Sequence, residues 1–411
     1  MINPSHIGAQ AKNPDLDSTF GQDGLYHPVS NQFGDVRAVG LNVDESINLA
    51  IRLSDGKFQF DRATADGRQI PGFTPTIAPF GPDGSFTPYR LLRQSDGKIL
   101  MLGAFRRYSD DASLAGVTRF NSNGTPDLVF GRKLLSPIPQ GTTTPRFEKK
   151  LVDGCVQADG KILIACAYQT GSPNSSDFIS QLIRLNIDGS DDLTFGTSGR
   201  IDLNFGGART FVSDVQIQDS GNIVALGSTG TNAFETLVIA RYDSHGQIDK
   251  SFGENGYFKF RHSPQHNTVP NWLGVMGEKL WIAGNVTGPI RSALLMRLTA
   301  EGNFDQTFNG GEPVLTNAPF TDLQWNSAII QKNGGIITVG SVENPASIII
   351  RRFNEDGTPN TERQWLPLPG GTADAVMQTS TRLIVAVRSS LVPEPSDNPL
   401  VLGVLTTPAT S

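Results

Sequence analysis

The feature that most constrains the fold is an arginine that recurs along the chain with the same residues behind it. Glycine follows each of six arginines by five residues, and phenylalanine follows five of them by eleven. The arginines are Arg62, Arg119, Arg184, Arg241, Arg297 and Arg352, which lie 57, 65, 57, 56 and 55 residues apart. Fixed offsets that return at such intervals indicate a chain built from stacked supersecondary units.

A second pattern precedes these arginines: a short apolar run, a turn, and another apolar run. The clearest turns are Asp96-Gly97-Lys98-Ile99 and Asp159-Gly160-Lys161-Ile162. An Asp-Gly pair between apolar runs predicts a β-hairpin with a type I′ turn, in which both central residues have positive φ. The 44 glycines and 26 prolines of the chain fit a protein with many turns.

Seven such units account for most of the 411 residues. The seventh has its apolar runs at 382–388 and 400–405, but the chain stops before its Asp-x-x-Phe-Gly segment. That segment occurs near the N-terminus, as Asp17-Ser18-Thr19-Phe20-Gly21. The pattern predicts an all-β, seven-bladed β-propeller of four-stranded blades, closed by an N-terminal segment that completes the last blade. Residues 15–405 form one propeller in this interpretation, with an N-terminal arm at 1–14 and a C-terminal tail at 406–411.

The chain resembles the delta-60 repeat family of bacterial β-propellers. The residues that carry the resemblance are the Asp-Gly-Lys-Ile hairpins, the strand ending in arginine, and the Asp-x-x-Phe-Gly segments. The resemblance implies a bacterial source and a propeller fold. It implies no catalytic residues, because the family has no catalytic signature that maps onto this sequence.

Charge and composition exclude several function classes. The net charge of −6 argues against a nucleic-acid-binding protein, which carries a basic patch. No apolar run reaches the length of about 18 residues that a membrane span needs. The N-terminus lacks the basic and apolar segments of a signal peptide, so we expect a cytoplasmic protein or export by a signal-independent route, with the compartment left open. Two cysteines, Cys155 and Cys166, are too few for a disulfide framework and are expected to be buried.

Four of the arginines have an aspartate eight residues later, which predicts an ion pair across each turn. The pairs are Arg119 with Asp127, Arg184 with Asp192, Arg241 with Asp249, and Arg297 with Asp305. Such a ring of arginines suits an anion, but a copied pair is more typical of a structural contact, because a binding site needs unlike residues. We therefore interpret the eight residues as structural.

Two other groups are candidates for ligand binding. The oxygen-rich turn with Asn186, Asp188 and Asp192 resembles part of a calcium loop, although ordinary turns use the same residue types. His262, His266 and Trp272 lie in or beside one polar loop and form a candidate ligand patch. Calcium is thus the one cofactor for which the sequence offers ligands, and no catalytic residue is assigned.

The sequence lacks the local motifs of known catalytic sites. The leading hypothesis is a non-enzymatic propeller that binds a protein or a carbohydrate ligand through its inter-strand loops, as a lectin does. The irregular connections at 132–150, 166–180, 261–272 and 388–399 would form the recognition surface. One alternative is a propeller enzyme, a hydrolase or a lyase, with its site in the central funnel. Another is a structural module of a larger assembly, and the oligomeric state is left open.

Overall fold

The computed structural model describes most of the chain. The described residues are 16–30, 32–108, 113–135, 152–170, 177–206, 209–230, 234–289, 291–318, 322–343, 346–360, 368–369, 371–389 and 399–405. They form 28 β-strands and a single turn of 3-10 helix, Asn309–Gly311. None of the described helical structure is long and apolar enough to cross a membrane. The predicted N-terminal arm and C-terminal tail lie outside the described residues.

The strands pair into seven antiparallel sheets of four strands, and each sheet is one blade. We give the strands of each blade from the innermost to the outermost. Blade 1 consists of β2 (Gly34–Leu41), β3 (Ile47–Leu53), β4 (Phe58–Ala63) and β5 (Thr76–Ala78). Blade 2 consists of β6 (Gly84–Arg93), β7 (Ile99–Arg107), β8 (Ser113–Phe120) and β9 (Arg132–Leu135). Blade 3 consists of β10 (Val152–Val156), β11 (Ile162–Thr170), β12 (Asp177–Leu185) and β13 (Arg200–Leu203). Blade 4 consists of β14 (Arg209–Ile217), β15 (Ile223–Gly230), β16 (Glu235–Tyr242) and β17 (Tyr257–Phe260).

The remaining blades follow the same plan. Blade 5 consists of β18 (Asn267–Met276), β19 (Lys279–Thr287), β20 (Ser292–Leu298) and β21 (Val314–Thr316). Blade 6 consists of β22 (Leu323–Ile330), β23 (Ile336–Glu343), β24 (Ala346–Phe353) and β25 (Leu368–Pro369). Blade 7 takes β26 (Gly371–Gln378), β27 (Arg382–Ser389) and β28 (Leu400–Leu405) from the C-terminal part of the chain, and β1 (Leu25–Tyr26) pairs with β28 as its outer strand.

The inner strands contact one another in a circle. Each of β2, β6, β10, β14, β18, β22 and β26 contacts the inner strand of both neighbouring blades, and β26 contacts β2. Seven clusters of buried apolar side chains occur in the described residues, one at each interface between blades. The predicted all-β fold with seven four-stranded blades is confirmed. The chain is a seven-bladed β-propeller.

The hairpin turns differ from the predicted type I′. Gly97 and Gly160 have φ of +82° and +83°, whereas Asp96 and Asp159 are not among the residues with positive φ. The Gly97 N–H donates to the Gln94 carbonyl, as in a type I turn followed by a left-handed glycine. Each aspartate instead uses its carboxylate to accept the N–H of the following lysine, which holds the wider turn. The prediction of the turn type was wrong for this reason.

Because neighbouring strands are antiparallel, the connections of each blade alternate between two faces. One face, which we name the short-turn face, carries the connections from the first to the second strand and from the third to the fourth strand. Those from the second to the third strand, and from each blade to the next, define the long-loop face. All four irregular connections named in the sequence leave from strand ends on the long-loop face. These connections follow Leu135, Thr170, Phe260 and Ser389.

Candidate functional site

The repeated arginine lies near the end of each third strand, on the short-turn face. In blades 2 to 5 its Nε donates to the aspartate eight residues later, with N···O distances of 2.7–2.8 Å. A lysine at the start of the second strand reaches the same carboxylate in three of these blades. These contacts are Lys98–Asp127 at 3.0 Å, Lys161–Asp192 at 3.1 Å and Lys279–Asp305 at 2.9 Å.

The paired carboxylates stay ionised inside the fold. Burial opposes ionisation of Asp127, but hydrogen bonds from Lys98, from the Phe130 N–H and from Arg119 outweigh it and lower the pKa to about 2. At Asp192, burial is likewise outweighed by donors that include Thr194, and the pKa lies well below its usual range. Such groups carry a fixed negative charge at neutral pH and are poor proton donors or acceptors in catalysis.

The outer end of each arginine reaches into the next blade. In blades 1 to 6 a guanidinium nitrogen of the third-strand arginine donates to a backbone carbonyl of the following blade, and Arg382 does so in blade 7. The acceptors, in ring order, are the carbonyls of Ser122, Ile187, Ser244, Ala300, Glu355, Leu405 and Ala65. One arginine thus crosses every interface of the ring, a use that the planar guanidinium with its five donors suits well.

The phenylalanine of the Asp-x-x-Phe-Gly segment completes this inter-blade joint. The Phe130 ring lies 4.4 Å from the guanidinium carbon of Arg119, and a Cβ added to Gly189 of the next blade would lie 2.5 Å from the same ring. Gly189 also has a φ of +81°, which favours glycine. Phe195 lies in the same way against Gly246. Arginine, phenylalanine and glycine therefore share one period because they contact one another.

Blade 7 assembles this joint from both ends of the chain. Arg382 forms an ion pair with Asp17, with Nε and Oδ2 2.9 Å apart, and lies 5.5 Å from the centre of the Phe20 ring. Phe20 in turn lies against Gly67 of blade 1. Sequence analysis missed Arg382, because it lies on the second strand, at the position where blades 2, 3 and 5 carry lysine.

Blade 1 replaces the aspartate of the joint. Ile70 stands at that position, and the Arg62 Nε donates to the Asn48 Oδ1 at 2.9 Å. The adjacent Asp61 is 2% exposed and accepts hydrogen bonds from the Arg62 N–H and from Gln59. Burial raises the pKa of Asp61 to about 6, although these two donors favour the charged form. This carboxyl has no counterpart in the repeat.

The predicted ligand patch is divided between the surface and the core. His262 is exposed and His266 half-buried in the connection before β18, with ring centres 6.4 Å apart. The His266 Nδ1 lies 2.8 Å from the Ser263 Oγ. Trp272 lies within β18, is 9% exposed, and packs in the apolar cluster between blades 5 and 6. The predicted patch therefore leaves an exposed His262 beside a half-buried His266 on the long-loop face.

Hydrogen bonds within the turn hold the predicted calcium ligands. The Asp188 Oδ1 accepts the N–H and the hydroxyl of Ser190, at 2.9 and 2.7 Å, and the Asn186 amide donates to the same hydroxyl. Asp192 already pairs with an arginine and a lysine. The part of the chain that the structure describes has no group of three or more His, Cys, Asp or Glu suited to a metal. Calcium at this turn stays a prediction, which a fall in Tm on adding a chelator would support.

The inner strands of five blades carry unlike polar residues at equivalent bulges. The pairing of β2, β6, β14, β18 and β22 with their second strands skips one residue at an equivalent place. The skipped residues are Arg37, Tyr89, Ser213, Asn271 and Asn326. Bulges of this kind re-aim side chains and often lie beside functional sites.

A charged cluster lies on the inner strands of blades 2 to 4. The Arg90 Nε lies 3.3 Å from the Oδ1 of the fully buried Asp153, and Asp214 accepts the N–H of Leu273 from blade 5. The two aspartates raise the pKa of Arg90 against the effect of burial. Burial also raises the pKa of the Cys155 thiol, which is therefore no thiolate nucleophile at neutral pH. The charges of this cluster are engaged with one another and with the adjoining blade.

A cleft of ≈830 Å³ lies between blades 1 and 2. It extends from the long-loop face, where Lys57 and Tyr108 line it, toward Leu128 and Arg132. The Tyr108 ring is 62% exposed. Arg132 is exposed and lies 5.8 Å from the Phe58 ring, and no carboxylate in the described ranges forms an ion pair with it. The cleft thus offers an aromatic ring and a cation to a ligand, and no sequence motif marks it.

Comparison with known families supports the fold assignment. A family model described as "Domain of unknown function (DUF5122) beta-propeller" matches residues 94–130 and 218–252. Both segments begin beside a hairpin turn and run through the arginine to the Asp-x-x-Phe segment. The match supports membership of a β-propeller family, while the delta-60 designation stays a resemblance. No curated protein matches the sequence.

Solved structures share the architecture at low sequence identity. The polysaccharide lyase Uly1 is 11% identical, with a TM-score of 0.55 over 94% of this chain and 92% of that one. A protein of unknown function from Dyadobacter fermentans is 13% identical, with a TM-score of 0.50 over 93% of this chain and 98% of that one. YCF48 from Cyanidioschyzon merolae is 11% identical, with a TM-score of 0.46 over 93% and 99%. The likenesses to Uly1 and to the Dyadobacter fermentans protein show the fold alone.

Proposed function

We propose that this protein is a non-enzymatic binding propeller that recognises a protein or a glycan through the connections of its long-loop face. The observation that carries the proposal is the contrast between the two faces. The short-turn face repeats one joint around the ring, whereas the long-loop face carries connections that differ in length and sequence. A rigid scaffold with variable loops on one side is the usual construction of a recognition surface.

The cleft between blades 1 and 2 supports a binding role and gives it a location. An exposed aromatic ring such as Tyr108 stacks on a sugar or on a peptide side chain without a large loss of conformational entropy. The Arg132 guanidinium can form a bidentate contact with a ligand carboxylate. Clefts of several hundred cubic ångströms with a few polar groups are typical of ligand sites.

The test is a binding screen of the purified chain against a glycan array and a peptide array. We expect a specific ligand whose affinity falls at least about tenfold, or 1.4 kcal/mol, in Tyr108→Ala. Leu315→Ala, at a half-exposed leucine on the outer strand of blade 5, is the matched control and should bind as the unchanged protein does. A specific ligand that Tyr108→Ala binds with full affinity would place the site outside the cleft. Absence of any specific ligand on both arrays would contradict the binding function itself.

A second candidate function is an enzyme, a hydrolase or a lyase, with its site in the central funnel. The unlike polar residues at the inner-strand bulges favour it, since catalysis needs different groups and not copies of one. Incubation with polysaccharide and peptide panels would then release new sugar or peptide ends. Tyr89→Phe should slow this release if the phenol takes part. No turnover on either panel would leave binding as the function.

A further inference from the structure

We propose that the short-turn face of blades 2 and 3 is a contact surface between two copies of this chain. The surface, which we name the aliphatic patch, consists of Leu128, Val129 and Ile187, exposed by 88%, 95% and 47%. Leu128 and Val129 directly precede Phe130, whose ring lies against Gly189, two residues beyond Ile187. Apolar side chains of adjoining turns that face solvent together mark interaction sites. Leu128 also lines the far end of the cleft between blades 1 and 2, so the patch and the proposed ligand site share this one residue.

The repeat provides an internal control for this patch. Two residues after the aspartate of the joint, four blades carry a hydroxyl. These residues are Thr19, Thr194, Ser251 and Thr307. Each hydroxyl donates to its aspartate at 2.6–2.7 Å and accepts a hydrogen bond from its arginine at 2.7–3.4 Å. The hydroxyl therefore bridges the ion pair in blades 3, 4, 5 and 7.

Val129 stands at this position in blade 2 and lacks the hydroxyl. Asp127 accepts the N–H groups of Val129 and Phe130 there, and no side-chain bridge to Arg119 is available. The valine makes no compensating apolar contact within the fold, because 95% of it is exposed. A residue that breaks a local rule without a gain in the folded chain indicates a function outside it. Leu128 beside it stands where other blades carry Ser18, Lys250 and Gln306.

The rim of the aliphatic patch fits a second copy. Lys133 lies beside Gly189, and its Nζ is 5.4 Å from the Phe130 ring centre. The exposed Asp188 is adjacent in the same turn. In a two-fold contact, the surface of one copy meets the same surface of the other. An apolar centre is its own complement, and a rim with both a lysine and an aspartate can pair with itself. A rim of one sign would instead indicate a partner of the opposite charge.

The patch has far fewer side chains than the about 20–30 residues that each partner contributes to a standard interface, so we expect weak association with a Kd above about 1 μM. Sedimentation velocity over about three decades of concentration tests it. The double variant Leu128→Ser/Val129→Thr restores residue types of the other blades and should weaken association at least about tenfold. Val43→Thr, at a 78% exposed valine in the turn between β2 and β3 of blade 1, is the control and should associate normally.

Two results would overturn the proposal. One is a chain that stays monomeric up to the highest concentration measured. This holds also if the monomer binds a foreign peptide at the patch. The other is a dimer that the double variant forms as readily as the unchanged chain. Thermal unfolding separates loss of contact from loss of fold, because Val129→Thr should raise the Tm by restoring the bridge between Asp127 and Arg119. A lower Tm would show that the valine stabilises the fold, which would remove the basis of the proposal.

Discussion

The same 28 strands run between the short-turn face and the long-loop face. The connections of the short-turn face repeat one set of residues, whereas those of the long-loop face do not. On the short-turn face, arginine, phenylalanine and glycine recur because the phenylalanine contacts both the arginine of its own blade and the glycine of the next blade. On the long-loop face, the connection after Leu53 takes four residues, whereas the one after Leu135 takes sixteen. Residues of this chain therefore repeat where they contact the next blade. Connections without such contacts vary in length and sequence.

The largest expected effect comes from cutting one inter-blade tie. Arg184→Ala leaves the buried Asp192 with Lys161 as its one ion-pair partner among the described residues and removes the donor to the Ser244 carbonyl. We expect the free energy of unfolding to fall by about 3 kcal/mol, since breaking a buried pair leaves an uncompensated charge. Urea unfolding measures it. Arg132→Ala, at the exposed cleft arginine, should change stability by less than about 0.5 kcal/mol. Equal effects of the two substitutions would contradict the stabilising role of the inter-blade tie.

Two glycines, one on each face, show how the packing of the two faces differs. Gly246 and Gly206 have φ of +86° and +72°, so alanine is strained at both. A Cβ at Gly246 would lie 2.9 Å from the Phe195 ring, whereas one at Gly206, on the long-loop face, meets only the flexible end of Lys259. We expect Gly206→Ala to lose about 1 kcal/mol and Gly246→Ala about 2–3 kcal/mol. Thermal unfolding of both variants checks the difference, and matching losses would mean that the joint tolerates a methyl group.

Acid should weaken the short-turn face. The pKa of Asp127 is about 2 in the folded chain and near 4 in the unfolded chain, so the unfolded state binds more protons between these values. The stability that Asp127 contributes is thus present above about pH 4 and lost as the pH falls toward about 2. We expect the acid-dependent fall in the free energy of unfolding to be about 1–2 kcal/mol smaller in Asp127→Asn than in the unchanged chain. Urea midpoints measured at several pH values would contradict this if the variant loses as much stability in acid as the unchanged chain.

Asp61 should change stability with pH in the opposite direction. Its pKa of about 6 in the folded chain lies above the unfolded value, so stability falls as the pH rises from about 4 to about 6. Asp61→Asn should abolish this decline without changing the acid loss below about pH 4. The same urea series measures both variants. A decline between these pH values that survives in Asp61→Asn would assign it to another group.

The smallest effect is expected from lengthening a long-loop connection. Four glycine or serine residues inserted after Pro264, in the exposed loop before β18, should cost less than about 1 kcal/mol, because loop-closure entropy grows slowly with length. The same insertion after Asp188 would separate Ile187 from Gly189, both of which contact blade 2. Thermal unfolding compares them. If the loop before β18 tolerates the insertion no better than the turn does, the faces do not differ in the way described.

Much of the fold could be predicted because the repeat is local in sequence. The offsets from Arg119 to Gly124 and to Phe130 predicted each unit, and the displaced Asp17–Gly21 segment predicted where the seventh unit finds its missing part. The turn type was wrong, because the Asp-Gly pair was taken to need positive φ at both residues, whereas the Asp96 carboxylate stabilises a different turn.

The candidate site could be predicted much less well, because its parts are distant in sequence. The cleft joins Lys57 and Tyr108 to Arg132 only after blades 1 and 2 have packed together. Arg382 replaces the third-strand arginine from another strand, so no fixed offset reveals it. Trp272 was grouped with His262 by nearness along the chain, whereas strand β18 directs its indole into the core.

Hydrogen exchange on the unchanged chain tests most directly whether the joint that blade 7 assembles from both ends of the chain holds the ring as the joints of other blades do. The Gly21 N–H donates to the Asp66 carbonyl of blade 1, just as the N–H groups of Gly196 and Gly253 donate to the blades that follow them. We predict that the amides of residues 17–26 exchange as slowly as those two. Exchange of residues 17–26 at the rate of an unstructured tail, with Gly196 and Gly253 protected, would contradict the account.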